Sequence, residues 1–221
     1  MKKKIIITGG LGYIGTELCR LYSGVSWHHK ILVIDNRFIS ERVNQIRNWN
    51  MEFIHGDILD KDLVHKYFSN ADVVHHLAGI TSVPRTKSEP SKEIDEKIKL
   101  VAEEGTQNIL NTISNECRLI FPSTHVVYEG ISEVRKDIKE DEATQPILSY
   151  SSSKAANEKQ LIDSGKNYVI LRLGSVYGYS GDSMRTDIMP NLFSKIASQN
   201  GVIKLFSGAV SYTHLRAHET S

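Results

Sequence analysis

The chain has 221 residues, enough for one large domain with a substantial buried core. Lys and Arg total 27 against 26 Asp and Glu, so bulk charge gives no reason to expect a nucleic-acid or membrane-surface partner. No apolar run reaches the length of a membrane span, and the run after Lys2 to Lys4 is too short for a signal peptide, so the expectation is a soluble, cytoplasmic protein.

Ile5 to Ile7 is a β-branched run without alternation, as expected of a strand buried on both faces of a parallel sheet. Gly9, Gly12 and Gly15 follow at a spacing of three. After a strand and before an amphipathic helix (Ile14, Leu18, Leu21), such glycines permit a tight turn, close approach to a pyrophosphate, and close packing of the new helix. The helix start, Tyr13 and Ile14, offers N–H donors and a positive dipole end to phosphates. Lys30 to Asp35 repeats the strand pattern and ends in an acid. An acid there accepts hydrogen bonds from the adenosine ribose hydroxyls and repels a 2′-phosphate, which favours NAD over NADP. Arg37 weakens that argument, because an arginine at this place can accept a 2′-phosphate.

Met51 to His55 reads as a third strand. Asp57 and Ile58 after it could grip an adenine, although Asp57 fits equally well as a turn residue before a helix over 61–68. Val73 to Leu77 is a fourth strand, and Ala78 and Gly79 leave room for a ligand across its end. His75 and His76 point to opposite strand faces, so they cannot chelate one metal together, and they read as core or interface histidines. Cys19 and Cys117 read as ordinary buried or half-buried thiols, and no metal site is expected. Glu89 to Ile113 has helical periodicity, and Arg118 to Pro122 makes a fifth strand delivering Ser123 and Thr124. Hydroxyls there sit where open α/β sheets bind ligands, or simply form a turn. Ile131 to Gln145 reads as a polar surface excursion. Tyr150 and Lys154 lie four apart, on one face of a helix. An ammonium beside a phenol stabilises the phenolate and lowers its pKa toward that of a working base, although such a pair is also common on ordinary helices. Val169 to Leu173 is a sixth strand, Ile188 to Ser198 a helix, and Val202 to Ser207 a strand. The fold class is α/β, a doubly wound parallel sheet of the Rossmann type.

TGGLGYIG, Asp35, Gly56-Asp57-Ile58, HLAG, PSTHVVYEG, YSSSK and LRLGSVYG, in this order, resemble the extended short-chain dehydrogenases/reductases, and within them the NAD-dependent nucleotide-sugar epimerase/dehydratase group. The resemblance implies that Gly9, Gly12 and Gly15, with Tyr13 and Ile14, hold the pyrophosphate. It places the ribose on Asp35, the adenine on Asp57 and Ile58, and the cofactor across Leu77, Ala78 and Gly79. It makes Tyr150 the catalytic base, gives Lys154 the nicotinamide ribose and the tuning of Tyr150, and sets Thr124, with Ser123 and Ser175, on the sugar. The implied reaction is a transient oxidation of a sugar hydroxyl on a retained NAD. A reductase or dehydratase of the same group, or a non-catalytic NAD-binding module, is the alternative. Dehydratases of the group carry Asp-Glu after the threonine, whereas this chain has His125 and Val126. Relatives often pair as homodimers through the long helix and the Tyr150 helix. Residues 1–174 are expected to form the NAD domain and 175–208 to begin a substrate lobe that is left incomplete. Residues 209–221 read as a tail foreign to the family and artefactual in character. A chain ending so is expected to bind NAD better than it catalyses.

Overall fold

The computed structural model describes residues 2–81, 92–133, 135–181 and 183–203. Its frame is one six-stranded sheet, all parallel, built from β1 (Lys4–Thr8), β2 (Lys30–Asp35), β3 (Glu52–His55), β4 (Val73–His76), β5 (Arg118–Thr124) and β6 (Tyr168–Leu173). The spatial order is β3-β2-β1-β4-β5-β6, so the chain reverses its direction of travel between β1 and β4. Helices cover the sheet as α1 (Tyr13–Tyr22), α2 (Ser40–Asn48), α3 (Lys61–Phe68), α4 (Lys92–Thr112) and α5 (Ser149–Asp163). Open sheets of this order bind ligands at the carboxyl ends of the strands, at the reversal.

The unbroken isoleucine run of β1 serves both faces. Ile5 and Ile7 join Cys19 of α1 and Val43 and Ile46 of α2 in one core. Ile6 faces the other way, among Val64 and Phe68 of α3, Ile109 and Leu110 of α4, and Leu161 of α5. Two separate cores on one sheet are the doubly wound arrangement expected from sequence. β5 runs on through Ser123 and Thr124, and a 3-10 turn, His125–Tyr128, follows it directly. The helix α2 lay in a stretch whose periodicity gave no expectation. It is a mostly polar helix that buries only Val43 and Ile46.

The residues fall into two compact units. The first runs to Gly174 and includes Ser180–Ser183, and the second takes Ser175–Tyr179 and the chain from Met184. In the second, α6 (Met189–Ser198) carries Asn191, whose side chain accepts from Gly178 N–H and donates to Arg185 O. Val202 and Ile203 are not in a strand. The remainder of the expected 202–207 strand and the whole of 209–221 lie outside the described residues. Among the described residues no helix is long and apolar enough to cross a membrane, and no group of three or more His, Cys, Asp or Glu could hold a metal ion.

Candidate active site

The strand β1 ends in a turn that only glycine fits. Gly9 has a φ of 66°, and a Cβ there would lie 2.8 Å from the backbone of Leu77 and Ala78. A Cβ on Gly15 would strike Gly9 O and lie 2.7 Å from Gly10 Cα, so its absence lets the first turn of α1 sit on the loop itself. Gly12 is the N-cap, no side chain caps the helix, and the first intrahelical bond runs from Thr16 N–H to Gly12 O. The start of α1 therefore presents its backbone donors outward at the sheet reversal, with Tyr13 half-buried and Ile14 exposed. Among the described strand ends, Ala78 N–H donates to Thr8 Oγ1, and a Cβ on Gly79 would meet nothing within 4 Å. That open floor beside a donor-lined helix end fits a dinucleotide pyrophosphate.

Asp35 is 5% exposed and accepts from Leu11 N–H at 3.0 Å, which ties β2 to the glycine loop. Asp57 accepts from Asn36 Nδ2 and from Leu59 N–H, holding the tip of β3 against that of β2. The Ile58 side chain is 4% exposed and packs on Gly105 of α4, so it belongs to the core below the strand tips. Leu77 packs into the core beneath α1 and α2.

On the other side of the reversal, α5 carries Tyr150 and Lys154 one turn apart on one face. Glu129 holds the start of this helix, accepting from Ile147 N–H at 2.8 Å, Leu148 N–H at 2.7 Å and the Ser151 hydroxyl. Lys154 reaches β5: its Nζ donates to Pro122 O at 2.8 Å and sits 4.3 Å from the centroid of the Phe121 ring. Burial brings the Lys154 ammonium down to about 8, against a smaller opposing pull from Glu158. Thr124 is 8% exposed and its Oγ1 accepts from Val126 N–H at 3.3 Å. Ser123 faces the opposite way along the strand and donates to the buried Glu158 carboxylate. Ser175, exposed, belongs to the second unit.

Sequence reasoning missed the polar framework beneath these groups. Glu158, 3% exposed, is gripped by Arg172 of β6 through Nε and Nη2, the latter at 2.7 Å. Arg172 also donates to Tyr128 Oη and to Glu140 O. Glu158 lies four residues after Lys154, a spacing that puts both on one helix face and was readable in advance. His76 forms a second bridge, its Nδ1 3.0 Å from Thr8 Oγ1 and its Nε2 3.0 Å from Thr106 Oγ1. Thr106 accepts from Asn157 of α5, so the chain of contacts runs from β1 to the Tyr150 helix. Burial, then the nearby Lys154 charge, pushes the His76 imidazole down to about 3, so it is neutral at ordinary pH.

The family model described as "NAD dependent epimerase/dehydratase family" matches residues 5–218, a span that includes much of the stretch read as foreign to it. A dTDP-D-glucose 4,6-dehydratase of Dictyostelium discoideum is 29% identical over 197 residues, covering 80% of this chain and 44% of that protein. A UDP-glucose 4-epimerase of Neisseria meningitidis serogroup C is 30% identical over 175 residues, covering 73% of this chain and 48% of its own length. The structure of UDP-glucuronic acid 4-epimerase from Bacillus cereus with UDP-glucuronic acid and NAD is similar with a TM-score of 0.70 at 26% identity. That match covers 92% of this chain and 65% of the other. The chain thus spans about half the length of the curated relatives it matches.

Proposed function

This chain belongs to the NAD dependent epimerase/dehydratase family, and from that premise we propose that it is an NAD-dependent, nucleotide-sugar epimerase-like oxidoreductase. The observation that carries the reading is the Lys154 ammonium fixed on Pro122 O at the tip of β5, with Tyr150 one turn away on the same helix face.

Gly9, Gly12 and Gly15, with the α1 residues Tyr13 and Ile14, hold the pyrophosphate. Asp35 addresses the adenosine ribose and Asp57 the adenine, while the Ile58 side chain supports that corner from below. Leu77, Ala78 and Gly79 would form the floor across which the cofactor lies. When bound, NAD supplies a hydride acceptor that returns what it takes. Tyr150 Oη withdraws the proton of the sugar hydroxyl and later gives it back. Lys154 holds a positive charge beside the phenol, which favours the phenolate, and reaches the nicotinamide ribose. Thr124 Oγ1 hydrogen-bonds the reacting sugar oxygen, and Ser175 contacts the sugar. Ser123 steadies the strand tip through Glu158. Elimination of water is disfavoured, because His125 and Val126 follow Thr124 and the His125 ring bonds Leu173 O.

The substrate class is a nucleotide sugar. Two copies pair through α4 and α5, which pack on each other and expose Ile94, Leu100 and Ile162. Incubation with UDP-hexoses and analysis of the products tests the reading. Interconversion of epimers without net cofactor consumption supports it, and net consumption indicates a reductase. Tyr150→Phe should abolish turnover and leave NAD binding intact; a variant that loses only binding favours a non-catalytic module.

A further inference from the structure

Tyr150, Lys154 and Glu158 stand at successive turns along one side of α5, and the last two grip consecutive residues of β5. Lys154 Nζ donates to Pro122 O at 2.8 Å, and the Ser123 hydroxyl donates to Glu158 Oε1. Arg172 of β6 takes the rest of the Glu158 carboxylate, with Nε 3.1 Å from Oε1 and Nη2 2.7 Å from Oε2. Its Nη1 extends the other way, donating to Tyr128 Oη and to Glu140 O at 2.8 Å. The Glu158 side chain is 4% exposed and that of Arg172 20%, so water screens their charges little.

Stability alone does not require such a pair, because well-packed apolar residues of similar volume serve it as well or better. The group that benefits from a buried negative charge is Lys154. Its ammonium rests on a neutral carbonyl and on the Phe121 ring. From β4 it faces His76, which is neutral at ordinary pH. The α4 helix meets α5 here through Ala102 O and Thr106, which accept from Asn157 and bring no charge. Glu158, one turn further along α5, is the carboxylate that acts on the ammonium, and its pull opposes the burial that lowers the lysine. We propose that Glu158 is a positioning residue whose carboxylate, aimed by Ser123 and Arg172, is the counter-charge that keeps Lys154 protonated one turn from Tyr150. The inference rests on the reading of Tyr150 and Lys154 as the working pair.

An NMR titration of the cofactor-free chain, isotope-labelled at lysine Cε, reads the Lys154 ammonium, with its signal assigned by its loss in Lys154→Met. Glu158→Leu with Arg172→Met removes both charges and fills their space, so it reads the net field of the pair. Glu158→Gln with Arg172→Met removes them too, but keeps an acceptor for Ser123. Each double variant should move the midpoint down from about 8 by about one unit or more. Ser123→Ala leaves both charges in place and should keep the midpoint within about 0.3 unit. In turnover of a UDP-hexose, the alkaline limb of kcat should move down with the midpoint, because activity is lost as Lys154 gives up its proton. A midpoint that stays in place in a folded double variant overturns the proposal. So does an equal fall in Ser123→Ala, which would assign the effect to the strand brace instead of the charge. A parent without turnover whose midpoint still falls in the double variants overturns the reading of the site and leaves the counter-charge standing.

Discussion

Lys154 Nζ donates a 2.8 Å hydrogen bond to the carbonyl oxygen of Pro122, two residues before Thr124 on the same strand. The contact fixes the charged end of α5 at the strand tip where a substrate oxygen would arrive. It also takes an ammonium out of water, and burial is the main reason that its pKa falls to about 8. Between pH 8 and the ordinary lysine value of 10.5, the unfolded chain binds a proton that the folded chain does not, so this group's contribution to stability rises with pH across that window. Lys154→Met removes the buried charge at similar volume. At pH 7 it should be as stable as the parent, or more stable by roughly 1–3 kcal/mol, and inactive. Urea unfolding at pH 7 and pH 10 checks this: the parent gains stability relative to the variant as pH rises.

His76 gives the opposite end of the pH range. Its folded-state value of about 3 lies below the unfolded 6.5, so the unfolded chain takes up the proton first as pH falls between them. Stability should decline through that window by at most about 1.4 kcal/mol per pH unit from this residue. The ring is enclosed by Thr8, Thr106 and Phe121, with the Lys154 charge nearby. Denaturation curves at several pH values for the parent and for His76→Asn should converge toward acid pH as the parent loses this advantage.

Glu158 and Arg172 form a pair in which the acid is buried and the arginine largely so. Arg172→Ala should cost roughly 3–5 kcal/mol, because it strands a buried carboxylate, leaving it the Ser123 hydroxyl and the field of the Lys154 ammonium. Replacing both by apolar residues, Glu158→Leu with Arg172→Met, should recover most of that loss. Urea unfolding of the two singles and the double variant measures the coupling.

Two glycines of the same cleft should behave differently. Gly15→Ala forces a Cβ against Gly9 O and should cost roughly 1–3 kcal/mol, with NAD binding lost as the loop shifts. Gly79→Ala meets nothing within 4 Å, so stability should stay within about 0.5 kcal/mol. Its NAD affinity should nevertheless fall, because the new methyl occupies the floor. Thermal unfolding with and without NAD separates the two effects.

The parts legible in the sequence are those written in local spacing. The glycine loop, the acid closing β2, and Tyr150 with Lys154 each occupy a short window whose period declares its geometry. The doubly wound parallel sheet followed from alternating strands and helices, because parallel strands need crossover connections that cover both faces. What stayed hidden joins distant segments. His76 meets Thr8 and Thr106 across separations of 68 and 30 residues, and nothing local in VVHHL says which histidine turns inward. Ser123 and Thr124 read as equals, but strand alternation sends one to Glu158 and leaves the other facing the turn. The helix α2 escaped because two buried residues are too few to impose a period.

The role of Tyr150 in oxidising a sugar on bound NAD is measured most directly by the near-ultraviolet absorbance of reduced nicotinamide after a sugar nucleotide is added to the NAD-loaded chain and to NAD-loaded Tyr150→Phe. Both proteins should hold NAD, and only the parent should show a transient reduction that reverses as the hydride returns to the sugar. Equal reduction in the two proteins, or a parent chain that retains no NAD, would contradict that role.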